Sequence, residues 1–241
     1  MKMGIAVTFH GSPHIRPIGQ ELGKEYVKTL YKYCEFPFEL FIIDNQSEPP
    51  FNYYDFPIHE NRDNLHYTYI RNQYENGITG AWNMGIKQAI DAGCELISIT
   101  NDDMIYNTSV NDYFNVVMNH PDKDNAVFAP ITDGTHKQNI QYGSHPQTII
   151  QDTRGIPGGE LLVGFFYTFT RQLYDKYKYE NGDLFGMKHK YDGGDGKWGG
   201  QEGEVRRWWE DGTKLYCVRH GYFPHNKMYT YRAAKKIDEA E

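Results

Sequence analysis

Nowhere in its 241 residues does the chain carry a lysine- and arginine-rich block. Acidic side chains outnumber basic ones by 32 to 25, for a net charge of −7. A surface of that sign offers no footprint for a nucleic-acid phosphate backbone. A single nucleotide is a different matter, because a metal ion can offset its charge. Cysteine is scarce: Cys34, Cys94 and Cys217 lie far apart and form neither a disulfide framework nor a zinc pattern. Three free thiols in a reducing compartment are expected. No apolar run approaches the roughly 20 residues a membrane helix needs, and MKMG leads straight into a strand-like run with no signal-peptide pattern. The expectation is a soluble, cytoplasmic protein. Neither GxxxxGK[ST] nor a strand-linked GxGxxG occurs, which removes the usual basis for a P-loop or Rossmann site.

Aromatic residues are plentiful, with 20 Tyr, 13 Phe and 4 Trp. They supply core volume, and flat rings also stack on sugars. The chain is long enough for one α/β domain of ordinary size. Gly4–Phe9 reads as a strand ending in a turn at His10 to Pro13. Leu22, Tyr26, Leu30 and Tyr33 recur at helical spacing over 18–33, and Phe38–Ile43 is a second strand closing on Asp44. Strand, helix and strand in that order predict a parallel pair. A third strand is read at His66–Ile70. A helix follows Asn76-Gly77 with Trp82, Ile86, Ala89 and Ile90 on one face, and Gly93 caps it. After a strand at Glu95–Thr100, Thr108 or Ser109 is read as the cap of a helix bearing Val110, Tyr113, Phe114, Val117 and Met118. Strands at Ala126–Ile131 and Leu161–Phe169 follow, the second with Thr170 capping a short helix to Tyr177. A helix over Glu202–Asp211 and a strand over Lys214–Val218 complete the reading. Residues 48–66 carry no assigned element, and 132–160 read as a surface excursion. The expectation is a single domain over 1–241.

The strand at 95–100 ends on Asn101, Asp102 and Asp103. Acidic side chains at the carboxyl edge of a sheet stand where open α/β folds bind ligands, and paired aspartates are hard oxygen ligands for Mg²⁺ or Mn²⁺. The residues alone fit a solvated turn equally well. Other polar strand ends, at Thr8 to His10, Asp44 and His220, would converge on the same edge of a parallel sheet. Asp44 fits either a hydrogen bond to a base or ribose or an Asx turn. Asn76, Gly80 and Asn83 stand at a helix entrance, where anions are favoured, and equally suit a turn. Glu202 and Glu204 follow the glycine-rich DGGDGKWGG; each suits a general base or a carboxylate that complements a helix dipole. The acids of that segment fall at the wrong offsets for an EF-hand. Trp198, inside it, is the candidate stacking platform, whereas Trp208 and Trp209 read as core.

Taken in order, these segments resemble the GT-A-fold glycosyltransferases of the family-2 type. IAVTF and FIIDNQS resemble the family's nucleotide-binding strands, with Asp44 at the base-recognising acid. NQYENGITGAWNMGIKQA is similar to its helix entrance at Asn76, Gly77, Ala81, Asn83 and Gly85. ITNDDM stands where the family has its metal-binding DxD, with Asn101 in place of the first aspartate. WGGQEGEVRRWWEDG resembles the acceptor-side acidic motif, and CVRHGYFPH the late strand with a histidine ligand. Residues 48–66 and 132–160 lie outside the resemblance.

The resemblance implies a GT-A fold, α/β with a mixed, mostly parallel central sheet flanked by helices. Its nucleotide-binding half would be about 1–104 and its acceptor half about 105–230. It further implies an inverting transfer of sugar from a UDP-, GDP- or TDP-linked donor to a glycan or other hydroxyl acceptor. Mn²⁺ or Mg²⁺ would sit at Asp103 with His220, or His225, and Glu202 would act as the base. Thr8, His10, Asp44, Asn76, Gly80, Asn83, Asn101 and Asp102 would line the donor site, with Trp198 against a sugar ring. A sugar-phosphate nucleotidyltransferase shares the fold class, but TFHGSPHIRP is a poor phosphate loop for one. A catalytically inactive nucleotide- or glycan-binding module accounts for Asn101. A metal-dependent phosphohydrolase would call for a second metal cluster.

Overall fold

A computed structural model describes residues 1–10, 18–51, 67–74, 77–131, 149–151, 162, 164–186 and 200–223. The elements are β1 (Met3–Phe9), α1 (Ile18–Tyr33), β2 (Phe38–Asn45), β3 (Tyr67–Asn72), α2 (Gly77–Asp91) and β4 (Leu96–Asn101). They continue with α3 (Ser109–Asn119), β5 (Ala126–Ile131), β6 (Ile149–Gln151), β7 (Phe166–Thr170), α4 (Arg171–Tyr177), α5 (Gly200–Glu210) and β8 (Lys214–Tyr222).

All eight strands join one sheet in the order β3-β2-β1-β4-β7-β5-β8-β6. The pairs β1–β2, β1–β4, β2–β3 and β5–β8 are parallel, while β7 is antiparallel to both β4 and β5. Reversing direction twice through β7 leaves β5 and β8 running with β4. Six strands therefore end on one edge, and only β7 and β6 run the other way. This is the mixed, mostly parallel sheet of the expected α/β class.

Alternation along β1 divides the core. Ile5, Val7 and Phe9 face a layer built with Tyr26 and Leu30 of α1 and Tyr113, Phe114 and Val117 of α3. Ala6 faces the other layer, with Trp82 and Ile86 of α2, Leu173 of α4, and Val205 and Trp208 of α5. Period two in the strands and 3.6 in the helices give each layer a continuous apolar seam. Ser98, Thr168 and Tyr113 share hydroxyl contacts of 2.8 and 2.9 Å inside it, so those buried polar atoms are satisfied.

Helix α2 lies unusually close to the sheet. A Cβ at Gly85 would stand 2.7 Å from Ala6 Cβ and 3.4 Å from Ile43 Cγ1, so this position accepts only glycine without displacement. Gly93 ends the helix at φ +78°, with Cys94 N–H donating to Ala89 O, as its sequence position implied.

Four local expectations change. Thr108 makes no capping bond, since its backbone is αR rather than the extended form of a capping residue, and the Asn107 side chain accepts from Ser109 N instead. Thr170 precedes α4 without a side-chain cap, its hydroxyl buried in the sheet edge. The excursion after β5 contains β6, which pairs antiparallel with β8. Strand β8 continues four residues beyond Val218, through a bulge in which Pro130 pairs Val218 and Ile131 pairs Tyr222.

Replacing Gly85 by alanine overpacks the α2–β1 contact, an insertion that costs about 1–3 kcal/mol. At about 2–4 °C per kcal/mol for a chain of this size, thermal unfolding should drop by several degrees. An unchanged melting temperature would mean that α2 is free to step away from the sheet.

Candidate active site at the carboxyl edge

The parallel ends bring Thr8, His10, Asp44, Asn45, Asn72 and Asn101 to Asp103 to one edge. Thr8 is buried and paired on one side with Ile43 and on the other with Asn101. His10 links three strand ends. Its backbone N–H donates to Asp102 Oδ2 at 3.2 Å, and its ring Nδ1 donates to Asn45 O at 2.8 Å. That second contact fixes Nδ1 as the protonated nitrogen, since a carbonyl only accepts.

Asp102 and Asp103 follow β4 in a turn, 4% and 5% exposed. Burial, followed by the neighbouring Asp103 charge, raises the Asp102 carboxyl well above the usual range; the amide N–H of His10 offsets this in part. Asn101 holds the turn onto β7 through its N–H to Phe165 O, while its side-chain oxygen has no hydrogen-bond partner among the described residues. Two adjacent carboxylates and an amide oxygen are the hard-oxygen donor chemistry that Mg²⁺ or Mn²⁺ takes, and a cation there would favour the ionised form that burial, and then the Asp103 charge, disfavour at Asp102. The donor set fits such an ion. Among the described residues no group of three or more His, Cys, Asp or Glu is gathered. His220 belongs to the β8 bulge at the same edge, and for it and Glu202 the structure describes the backbone alone. Asn76, Trp198 and His225 lie outside the described residues.

Asp44 is fully buried and its oxygens are engaged. Oδ1 accepts Ser47 N–H at 2.9 Å; Oδ2 accepts Phe51 N–H at 3.3 Å and the Tyr69 hydroxyl at 2.5 Å, with Arg71 at 3.6 Å. It thus organises the turn after β2 from within. Sequence reading missed the neighbouring pair, in which buried Asn72 donates to the Asn45 side chain at 2.8 Å and accepts Tyr74 N–H at 3.1 Å. Its one signal was position, since both asparagines end adjacent strands.

Gly80 and Asn83 are buried in the first turns of α2. Asn83 Oδ1 accepts Leu184 N–H at 3.0 Å and Phe185 N–H at 2.9 Å, and its Nδ2 donates to Phe185 O at 2.8 Å. Both lone pairs of the amide oxygen are used inside the protein. Of the two acids weighed near α5, Glu204 is wholly buried and bound to Tyr179, Gly186 and Arg207. Its role is internal. Glu202 stands in the first turn of the same helix.

No protein-family model matches the chain, and no curated protein matches it in sequence. Solved structures do. Residues 1–349 of S. aureus TarS superpose with a TM-score of 0.61 at 14% identity, covering 98% of this chain and 64% of that one. The same fragment with UDP-GlcNAc gives 0.58 at 13% identity, over 93% and 58%. The mannosyltransferase PcManGT from Pyrobaculum calidifontis, in complex with GDP-Man and Mn²⁺, gives 0.56 at 13% identity, over 93% and 56%. The chain spans a little under two thirds of the TarS fragment. At such identities the likeness is one of fold, and the chain carries the GT-A glycosyltransferase fold that its motifs resemble. No helix among the described residues is long and apolar enough to cross a membrane.

Asp102→Asn keeps an acceptor for His10 N–H and removes the crowded charge. Because the folded-state carboxyl lies above the unfolded value near ~3.9, the wild type loses stability as pH rises through that window. In EDTA the variant should therefore melt higher than the wild type at neutral pH, with the gain shrinking to nothing below about pH 4. A constant gain at every pH would show that the ionised form carries no penalty.

Proposed function

We propose that the chain transfers a sugar from a nucleotide-diphosphate donor to a hydroxyl of a glycan or similar acceptor, with inversion. The observation that carries this reading is the convergence of six parallel strand ends, with Asn101-Asp102-Asp103 at their centre, in a GT-A fold. It is supported by the UDP-GlcNAc and GDP-Man complexes of proteins with the same fold.

In this reading the donor lies along the edge beside Thr8, His10 and Asn101, near the α2 entrance at Asn76 and Gly80. Asp44 contributes by fixing the turn after β2, and Trp198 stacks on a sugar ring. Asp103 and His220 would hold Mn²⁺ or Mg²⁺, which when bound neutralises charge on the leaving diphosphate. Glu202 takes the proton from the acceptor hydroxyl. The acceptor oxygen bonds to the anomeric carbon from the face opposite the leaving group. The bond from that carbon to the diphosphate oxygen breaks, and the nucleoside diphosphate departs with the electron pair. One displacement inverts the centre once.

A positioned base contributes about 10²–10⁴ in rate. Glu202→Gln should lose transfer by that order while nucleotide binding, read calorimetrically, is retained. Equal loss of binding and transfer would remove the base assignment.

A further inference from the structure

Helices α2 and α5 both reach one short segment, through buried Asn83 and Trp82 of the first and buried Glu204 and Trp208 of the second. Asn83 of α2 takes both the Leu184 and Phe185 N–H groups and returns a bond to Phe185 O. The very next amide, Gly186 N–H, donates to Glu204 Oε1 of α5 at 3.0 Å. The Phe185 ring lies 5.8 Å from Trp82 of α2 and 5.4 Å from Trp208 of α5. Lys87 of α2 adds an ion pair to Asp183 at 2.7 Å.

Glu204 is an expensive choice for mere packing. A buried carboxylate loses several kcal/mol of hydration, and an apolar residue of similar size often serves stability as well. Here three donors surround it: Gly186 N–H, the Tyr179 hydroxyl at 2.5 Å and Arg207 Nε at 2.8 Å. Burial and Glu204 push the Tyr179 phenol up to about 12, so it stays a neutral donor. A Cβ on residue 186 would come within 2.7 Å of Glu204 Oε1, so glycine is what lets the carboxylate reach that amide. The arrangement specifies geometry with side chains chosen to fit one another.

We infer that Leu184–Gly186 is a strap fixing α5, through Glu204 in its second turn, against α2, with Asn83 and Glu204 as positioning residues for Glu202 one turn or less away. The inference rests on the glycosyltransferase reading, in which α2 opens on the donor edge and α5 carries the base. A misplacement of ~1 Å at a reacting group costs about 100-fold in rate.

The test combines amide hydrogen exchange with kinetics on Asn83→Ala, Glu204→Gln and the milder Gly186→Ala. Arg206→Ala, on the exposed side of α5, is the control and should change nothing. In Asn83→Ala, exchange should quicken over Glu204–Arg207, the first amides of α5 that helix bonds protect; in Glu204→Gln it should quicken over Ala81–Met84 of α2. Strand β1 should keep its protection in both. Loosening confined to the mutated helix would overturn the strap. With Mn²⁺ and UDP-GlcNAc or GDP-Man, whichever the wild type turns over, kcat should fall about 10- to 100-fold with donor KM within about twofold. The double variant should fall no further than the worse single one. Unchanged kcat, or a rise in KM alone, would remove the positioning role. Gly186→Ala leaves the Asn83 and Glu204 side chains in place but pushes the Glu204 carboxylate off the Gly186 amide, and it carries the same expectations should either polar variant fail to fold. If the wild type turns over neither donor and is stabilised by neither, the glycosyltransferase reading fails, and exchange still decides the strap.

Discussion

The pairing of β1 with β4 in parallel, Thr8 opposite Asn101, is the constraint from which the site follows. It sets the acidic turn after β4 beside the start of the loop after β1, close enough for His10 N–H to reach Asp102. Parallel pairing of β2 with β1 then brings Asn45 within reach of the His10 ring. Strand β7 enters antiparallel between β4 and β5, and so restores the direction of β5 and β8. Had β7 run parallel to both neighbours, the same edge would still collect those ends, and β7 would add its own, while β6 would still run against β8. Open α/β sheets bind ligands outside such carboxyl ends, in the crevice where the strand order reverses.

Four buried acids, Asp44, Asp102, Asp103 and Glu204, divide the labour of this architecture. Asp44 accepts two amides and a tyrosine, and so shapes the turn after β2. Glu204 accepts a glycine amide, a tyrosine and an arginine, and so joins α5 to the segment before it. Both are compensated from within. Asp102 lies beside a second carboxylate, and its raised carboxyl is the sign of charge that a ligand can balance. Asp44 and Glu204 build the frame, and Asp102, whose burial the His10 amide offsets only in part, marks the place where chemistry is proposed.

Much of the first half was legible because its periodicities are clean. Leu22, Tyr26 and Leu30 fix α1 over the residues their spacing indicated, and all three are buried. The apolar run of β4 and its acidic end were equally plain. Strand direction is another matter: period two is the same in parallel and antiparallel strands, so nothing in FYTFT discloses that β7 runs backwards. Partners distant in sequence were hidden for a similar reason. Asp44 carries no mark of Tyr69, nor Asn83 of Leu184 and Phe185, because those contacts arise from the order of strands and helices. Glu202 and Glu204 look alike in sequence; burial and three donors distinguish Glu204 as a frame residue.

The central claim is that a nucleoside diphosphate binds at the edge beside Asn101 to Asp103. The most direct test is thermal unfolding with UDP, GDP, TDP, CMP and ADP, each with and without Mn²⁺. A ligand at one hundred times its dissociation constant stabilises by about 2.7 kcal/mol, or several degrees here. The account predicts such a rise for one diphosphate and a larger one when Mn²⁺ is present. No rise with any of the five, at millimolar concentration and with the metal added, would contradict it.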